Sequence, residues 1–535
     1  MTRLNLTRAR ALDLSTGTAP PSESTIVTAD GVIVEMTAGE VESDATVIDV
    51  EGHVVVPGFV DSHVHLVWTG ESLAKVGLTD AADLAEIQRR LVAERARLGA
   101  DAGLLLGKGW LYDAVGGEPT AAMIDEVVSD IPVFLDSNDM HSVWVNSAAL
   151  RAMGVDASTP DPPAGHLSRL PSGEPAGMLH ERAAHEIAWA HLSRETTDGD
   201  RVASARRALA AFAAAGVTSV VDMGMDRHGW RALQTLAAED GGRLPLRVAA
   251  HWLVADAGSD EANLAQVREA EEARAGNTEW LSVIGIKLVL DGVIDACTAA
   301  MRHPYSFGTN ADLMWDVDRL TAVAVDADAV RLRLALHAIG DRASDIALDV
   351  MEHVAATNER WDWRPRIEHL EVVSEATPAR LAALGVTASV QPVHADPAIQ
   401  SNWRAQLGDD RVERGYPWPT FSAAGARIAF GTDAPTAPHE TLLNLYIATT
   451  RKSVIQLDLP ANTPHSVLPL DDALRHATID AAASYGVEDR IGRIAPGYAA
   501  DLTVLALDPA EPDGLLRNAA VLTVVGGRVT HRRRT

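Results

Sequence analysis

VVVPGFVDSHVHL, Val54 to Leu66, runs from an apolar, β-branched stretch into two histidines one residue apart. Side chains alternate along a strand, so His63 and His65 project to the same side and both imidazoles can converge on one ion. Two imidazoles are otherwise an odd way to end a buried strand.

Seven further runs of the same character follow: GVTSVVDMG (216–224), PLRVAAHWL (245–253), SVIGIKLVL (282–290), RLRLALHAIG (331–340), RPRIEHLEV (364–372), GVTASVQPV (385–393) and ARIAFGTDA (426–434). Alanine-rich stretches of helical period separate them; RVASARRALAAFAAAG, for example, closes on Gly216 as a C-terminal cap. Eight strands alternating with helices predict an α/β fold of the TIM-like (β/α)8 barrel kind. A doubly wound sheet satisfies the periodicity too.

The two ends of the chain resemble each other more than the middle. STIVTADGVIVEM places Asp30-Gly31 between two alternating runs, which reads as a tight hairpin. IGRIAPGYAADLTVLAL and AAVLTVVGGRVTHR, near the C-terminus, are again short β-rich runs broken by Gly and Pro. One β domain is therefore expected from residues 1–57 plus 486–535, with the barrel at 58–485. The gap after the first barrel strand is far longer than a crossover needs, so a subdomain inserted at about 68–200 is expected over the barrel mouth.

Composition narrows the function. The 535 residues are 47% hydrophobic, with no run near the roughly 18 apolar residues of a membrane helix. The N-terminus lacks the apolar core and cleavage site of a secretory leader, and a cytoplasmic enzyme is expected. A single cysteine, Cys297, excludes an intrachain disulfide and a thiolate metal cluster, leaving histidine and oxygen as ligands. A formal charge of −28 argues against nucleic acid.

Familiar signatures fail on spacing. GLLLGKG lacks the loop length and hydroxyl of a phosphate loop, no Gly-x-Ser-x-Gly elbow occurs, and HERAAH (180–185) sets its histidines five apart. The surviving signal lies at strand ends: His337 in ALHAIGD, His369 in RIEHL and Asp433 in FGTDAP would share the mouth of a barrel with His63 and His65. Lys287 lies inside an apolar strand, where a charged amine is costly. Carboxylated by carbon dioxide, it would offer two oxygens able to bridge two ions. A lone buried histidine is more often a hydrogen-bonded core residue than a ligand; the coincidence of strand ends one, four, five, six and eight is what lifts these above that reading.

PGFVDSHVHL, IKLVLDG, LHAIGD, IEHL and GTDAP, in that order, resemble the metal-dependent amidohydrolases of the urease-related superfamily. DMHSVWVNSAAL, SGEPAGMLHE, DGVIDACTAAMRHPY and IGRIAPGYAADLTVL are similar to the amidohydrolase-3 branch, which includes N-substituted formamide deformylase. The resemblance implies a barrel with one or two divalent ions, commonly zinc, and a small side β-sandwich made from both termini. It implies that His63 and His65 bind the more buried ion, carbamylated Lys287 bridges, His337 and His369 bind a second ion, and Asp433 contacts the first.

The expected function is cleavage of a non-peptide C–N bond in a small amide, an N-substituted formamide or N-acyl amine, by metal-activated hydroxide. Asp433 and His369 are the catalytic candidates, with Asp433 moving the proton from water to the leaving nitrogen. His141, Trp144 and Trp110 are candidates for holding substrate, with Trp68 and Tyr305 beside them. His141 reads equally well as a loop histidine bonded to its own backbone, and aromatics near a long insertion are often its core. A carbamate or ester hydrolase would share every ligand; a deaminase would use one metal and a catalytic Glu; a metal-free scaffold is the reading from another class. The expected partner is a small amide, with no nucleic acid and no membrane; a homodimer stays open.

Overall fold

The computed structural model describes the chain except residues 1–2, 13, 15–21, 40–43, 100–101, 138–140, 164, 512–513 and 534–535, and the side chain of 401. The described residues form two compact units, 1–66 with 205–535, and 67–204.

The first unit contains eight parallel strands paired in chain order: β1 (Phe59–Val64), β2 (Val217–Met225), β3 (Arg247–Val254), β4 (Leu281–Val289), β5 (Arg333–Ala338), β6 (Arg366–His369), β7 (Thr387–Val390) and β8 (Ile428–Phe430). All of β1, β6, β7 and β8 is buried, as expected of parallel strands covered on both faces. Just past β8 the ring closes: Asp433 N–H donates to His63 O at 2.8 Å and His65 N–H to Ala434 O at 2.9 Å. Gly431 permits this approach, because a Cβ there would stand 2.4 Å from His63 Cβ. This is a (β/α)8 barrel, the first of the two folds that the eight apolar runs allow. The helix Asp198–Ala214 ends on Gly216, which has φ 85°, a left-handed conformation suited to glycine.

The strands of both termini form one hydrogen-bonded path in the order Arg528–Arg532, Ala520–Val525, Leu502–Leu505, Val54–Pro57, Arg3–Ala11, Ser24–Ala29 and Val32–Thr37, with Thr46–Asp49 pairing alongside Arg3–Ala11. Asp30 and Gly31, both at positive φ (50° and 84°), make the expected tight hairpin. Leu6, Ile26, Val55, Leu502 and Val524 are among its buried core.

The second unit has its own six-stranded sheet, ordered Gly165–Arg169, Pro175–Glu181, Ser142–Val145, Val133–Ser137, Leu105–Trp110 and Val76–Gly77. Among the described residues no helix is long and apolar enough to cross a membrane.

Candidate metal centre

The six residues singled out from strand ends all lie in or just beyond β1, β4, β5, β6 and β8. His63 Nε2 stands 3.2 Å, and His65 Nε2 3.1 Å, from the same oxygen, Asp433 Oδ1. The His369 ring packs 4.9 Å from His63 and 4.3 Å from His337, centre to centre. Ligating atoms of His63, His369 and Asp433 fall within 4.8 Å of one another.

His63 Nε2, His369 Nδ1 and Asp433 Oδ1 are buried without a hydrogen bond. Buried polar atoms are rarely left so, and three from one cluster fit a cation held between them. Burial pushes the His337 imidazole down to about 3, with the Lys287 charge adding to it, and holds His369 well below its usual value, so both rings are neutral and keep a lone pair for a metal. Asp433 goes the other way: burial alone would raise it, but His63 and His65 outweigh that and hold it ionised, well below the usual carboxylate range.

Lys287 is 2% exposed. Burial brings its amine down to about 8 against the opposing pull of Glu368 and Asp433. An amine near that value has an accessible uncharged form at neutral pH.

The supporting residues escaped the sequence reading. Glu368 accepts from His63 Nδ1 at 2.7 Å, which fixes the ring so that Nε2 faces Asp433. Arg366, fully buried, donates to Glu368 Oε1 at 2.6 Å, to Ser62 O at 2.6 Å and to Ser389 Oγ at 2.6 Å. Asp61 ties β1 to the end of β8 by accepting from Thr432 N–H at 2.9 Å and Thr432 Oγ1 at 2.7 Å; burial lifts it to about 7. Asp291 accepts backbone N–H groups of Ala300, Ile339 and Gly340 at 2.9, 3.0 and 2.9 Å, which fixes the loops after β4 and β5.

One more histidine reaches the cluster. His394, in the short turn Pro392–Ala395 after β7, places Nδ1 3.0 Å from Glu371 Oε1 and Nε2 3.5 Å from Asp433 Oδ2. Burial opposes its protonation, but Glu371 and Asp433 prevail and raise its pKa.

The candidate substrate residues lie in the 67–204 unit or in the loop after β4. Trp110 and Trp144 have no exposed surface; they pack on each other with centres 5.5 Å apart, and their indole N–H groups bond Leu135 O and Thr120 O, each at 2.9 Å. Packing within the 67–204 unit accounts for both rings. His141 belongs to that same unit, half exposed, with Nδ1 3.0 Å from Glu181 Oε2; Asp139 and Met140 of its motif lie outside the described residues. Tyr305 is buried with its hydroxyl on Ala299 O at 2.9 Å, and Trp68 is 51% exposed.

A model of the amidohydrolase family matches residues 46–531. The chain belongs to that family. This amidohydrolase is 32% identical over 500 residues to the protein LONG AFTER FAR-RED 3 of Arabidopsis thaliana, covering 90% of this chain and 83% of that protein. It is 28% identical over 520 residues to the N-substituted formamide deformylase of Arthrobacter pascens, covering 92% and 91%. A crystal structure of an uncharacterized metal-dependent hydrolase from Pyrococcus horikoshii aligns with a TM-score of 0.78 and 26% identity, covering 96% of this amidohydrolase and 99% of that chain.

Proposed function

We propose that this amidohydrolase cleaves the C–N bond of a small non-peptide amide, an N-substituted formamide or N-acyl amine, with one or two divalent ions, zinc first among them. The observation that carries this reading is the approach of His63 Nε2 and His65 Nε2 to one buried oxygen of Asp433, at 3.2 and 3.1 Å. The likeness to a formamide deformylase over most of both chains supports the substrate class.

A divalent ion in such a site polarises a carbonyl and makes a bound water acidic near neutral pH. His63, His65 and Asp433 would hold it, with His337, His369 and Lys287 available to a second. In this reading Asp433, ionised, accepts a proton from the attacking water and hands it to the nitrogen that leaves as amine. Glu368 and Arg366 keep His63 in the orientation this needs. Lys287, in its uncharged form, can add to carbon dioxide: an N–C bond forms, the nitrogen loses a proton, and the product is a carboxylate with two ligand oxygens. His141 is the candidate for gripping the acyl oxygen.

Metal analysis of protein purified without chelator, with hydrolysis of N-formyl, N-acetyl and carbamate compounds compared side by side, tests the reading. One or two equivalents of divalent metal and the fastest turnover on N-formyl or N-acyl amines are expected. Metal-free protein, or hydrolysis confined to esters and carbamates, would overturn it.

A further inference from the structure

Asp433 has an imidazole beside each of its oxygens. Oδ1 faces His63 and His65, and Oδ2 faces His394 Nε2 at 3.5 Å. His394 is in turn held on its other edge by Glu371, 3.0 Å away and 6% exposed. The backbones of this pair are tied through one residue: Tyr416 donates its hydroxyl to His394 O at 2.8 Å and its N–H to Glu371 O at 2.8 Å. Tyr416 itself is stacked on Trp403, with ring centres 5.0 Å apart. The His394 ring lies parallel to His369 at 7°, with centres 5.7 Å apart.

We infer that Glu371 and His394 form a positioning pair for Asp433, setting the plane of its carboxylate so that one oxygen meets the ion and the other stays on the His394 side. Three observations lead there. Asp433 lies just past a three-residue strand with its N–H on His63 O at 2.8 Å, which fixes where the residue sits and leaves the plane of its carboxylate to the groups that flank it. An imidazole edge within reach of its outer oxygen is one such group. Glu371 fixes the imidazole at Nδ1 while Tyr416 fixes the backbone that carries it, the arrangement a preorganised ligand set requires.

The inference rests on the metal-dependent reading, and cobalt(II) alone tests it without a substrate. Titration of the full chain, followed by the visible absorption of bound cobalt and by metal counting, compares wild type with His394→Ala, His394→Gln, Glu371→Leu and Glu371→Gln. Ligand-orienting contacts are typically worth about 10- to 100-fold in metal affinity. His394→Ala and Glu371→Leu should therefore raise the cobalt Kd about 10- to 100-fold at unchanged stoichiometry, with a shifted spectrum. His394→Gln, which keeps a donor at the Nε2 position, and Glu371→Gln, which keeps an acceptor for Nδ1–H, should recover much of the loss. Thermal melting checks each variant; if the Ala and Leu variants do not fold, the two Gln variants carry the test, with Kd values between wild type and fivefold above it and a perturbed spectrum.

A Kd within twofold of wild type and an unchanged spectrum in every variant would overturn the inference. So would loss of a whole cobalt equivalent in His394→Ala, which would make His394 a ligand. Wild type that binds no cobalt would instead remove the metal-dependent reading itself, and the inference with it.

Discussion

His63 donates Nδ1–H to Glu368 at 2.7 Å while its Nε2 stands 3.2 Å from Asp433, so one fully buried ring joins an internal charge pair to the metal-facing oxygen. Glu368 also neutralises Arg366, and burial would otherwise drive its carboxyl upward; Arg366 and His63 keep it well below the usual range. Glu368→Gln leaves Arg366 as an uncompensated buried cation. Removing one partner of a buried pair costs about 3–5 kcal/mol, so urea unfolding should show a loss of that order. Wild-type stability in the variant would mean that the pair carries no such load.

Lys287→Ala should remove the second metal equivalent and most amide hydrolysis while His63, His65 and Asp433 keep the first. Metal counting per chain and a rate on an N-formyl amine check this. Two equivalents and full activity would eliminate the carbamate proposal.

Gly431→Ala forces a Cβ to 2.4 Å from His63 Cβ and 2.6 Å from His63 N. Backbone and a packed ring cannot yield as a surface side chain would, so β1 must move away from the end of β8. Overpacking of this kind costs about 1–3 kcal/mol. Thermal melting should register it, and cobalt affinity should fall because His63 moves with its strand; an unchanged melt would contradict the close approach.

Asp256 accepts two-handed hydrogen bonds from Arg319 at 3.1, 3.2 and 2.8 Å, and Arg319, with Gly258 and Asn263, holds its carboxyl well below the usual carboxylate range. A carboxyl with a depressed folded-state pKa adds stability above its unfolded pKa and loses it as pH falls through the folded one. Asp256→Asn should therefore lower stability at pH 7, by about 1 kcal/mol for so accessible a pair. The gap between variant and wild type should shrink below pH 4. A gap that held constant from pH 7 to pH 3 would count against this assignment.

Trp110→Ala empties a site with no exposed surface in the 67–204 unit. Large-to-small changes of this size cost about 3–5 kcal/mol. Proteolysis within 67–204 should accelerate, with fragments mapped by mass spectrometry; an unaltered digestion pattern would return Trp110 to the list of pocket residues.

The barrel was legible because buried parallel strands read as apolar runs, and all eight runs coincide with strands. Five of the proposed ligands could be picked out for the same reason: His63, His65, Lys287, His337 and His369 interrupt such runs where apolar residues are expected. The partners of those residues could not. Glu368 is visible in RIEHL, yet nothing local connects it to His63, 305 residues away. His394 was missed by one position, since the seventh run was read as ending at Val393 and the histidine follows in a turn begun by Pro392. Trp110 and Trp144 show the converse: an aromatic on a strand has the same local pattern whether it lines a cavity or fills a core, and their burial in a packed cluster is visible only in three dimensions.

The seam between β1 and β8 has a consequence for when the site comes into being. Asp61 and Thr432, 371 residues apart, are bonded across it, and the oxygen that His63 and His65 both approach arrives with residue 433. During synthesis, then, the two histidines emerge near the start of the chain and wait through almost the whole barrel for their carboxylate. A chain cut between residues 369 and 433 carries five of the six proposed ligands and still lacks the one whose oxygen both His63 and His65 approach. The proposed ligand set is thus complete only once the ring has closed.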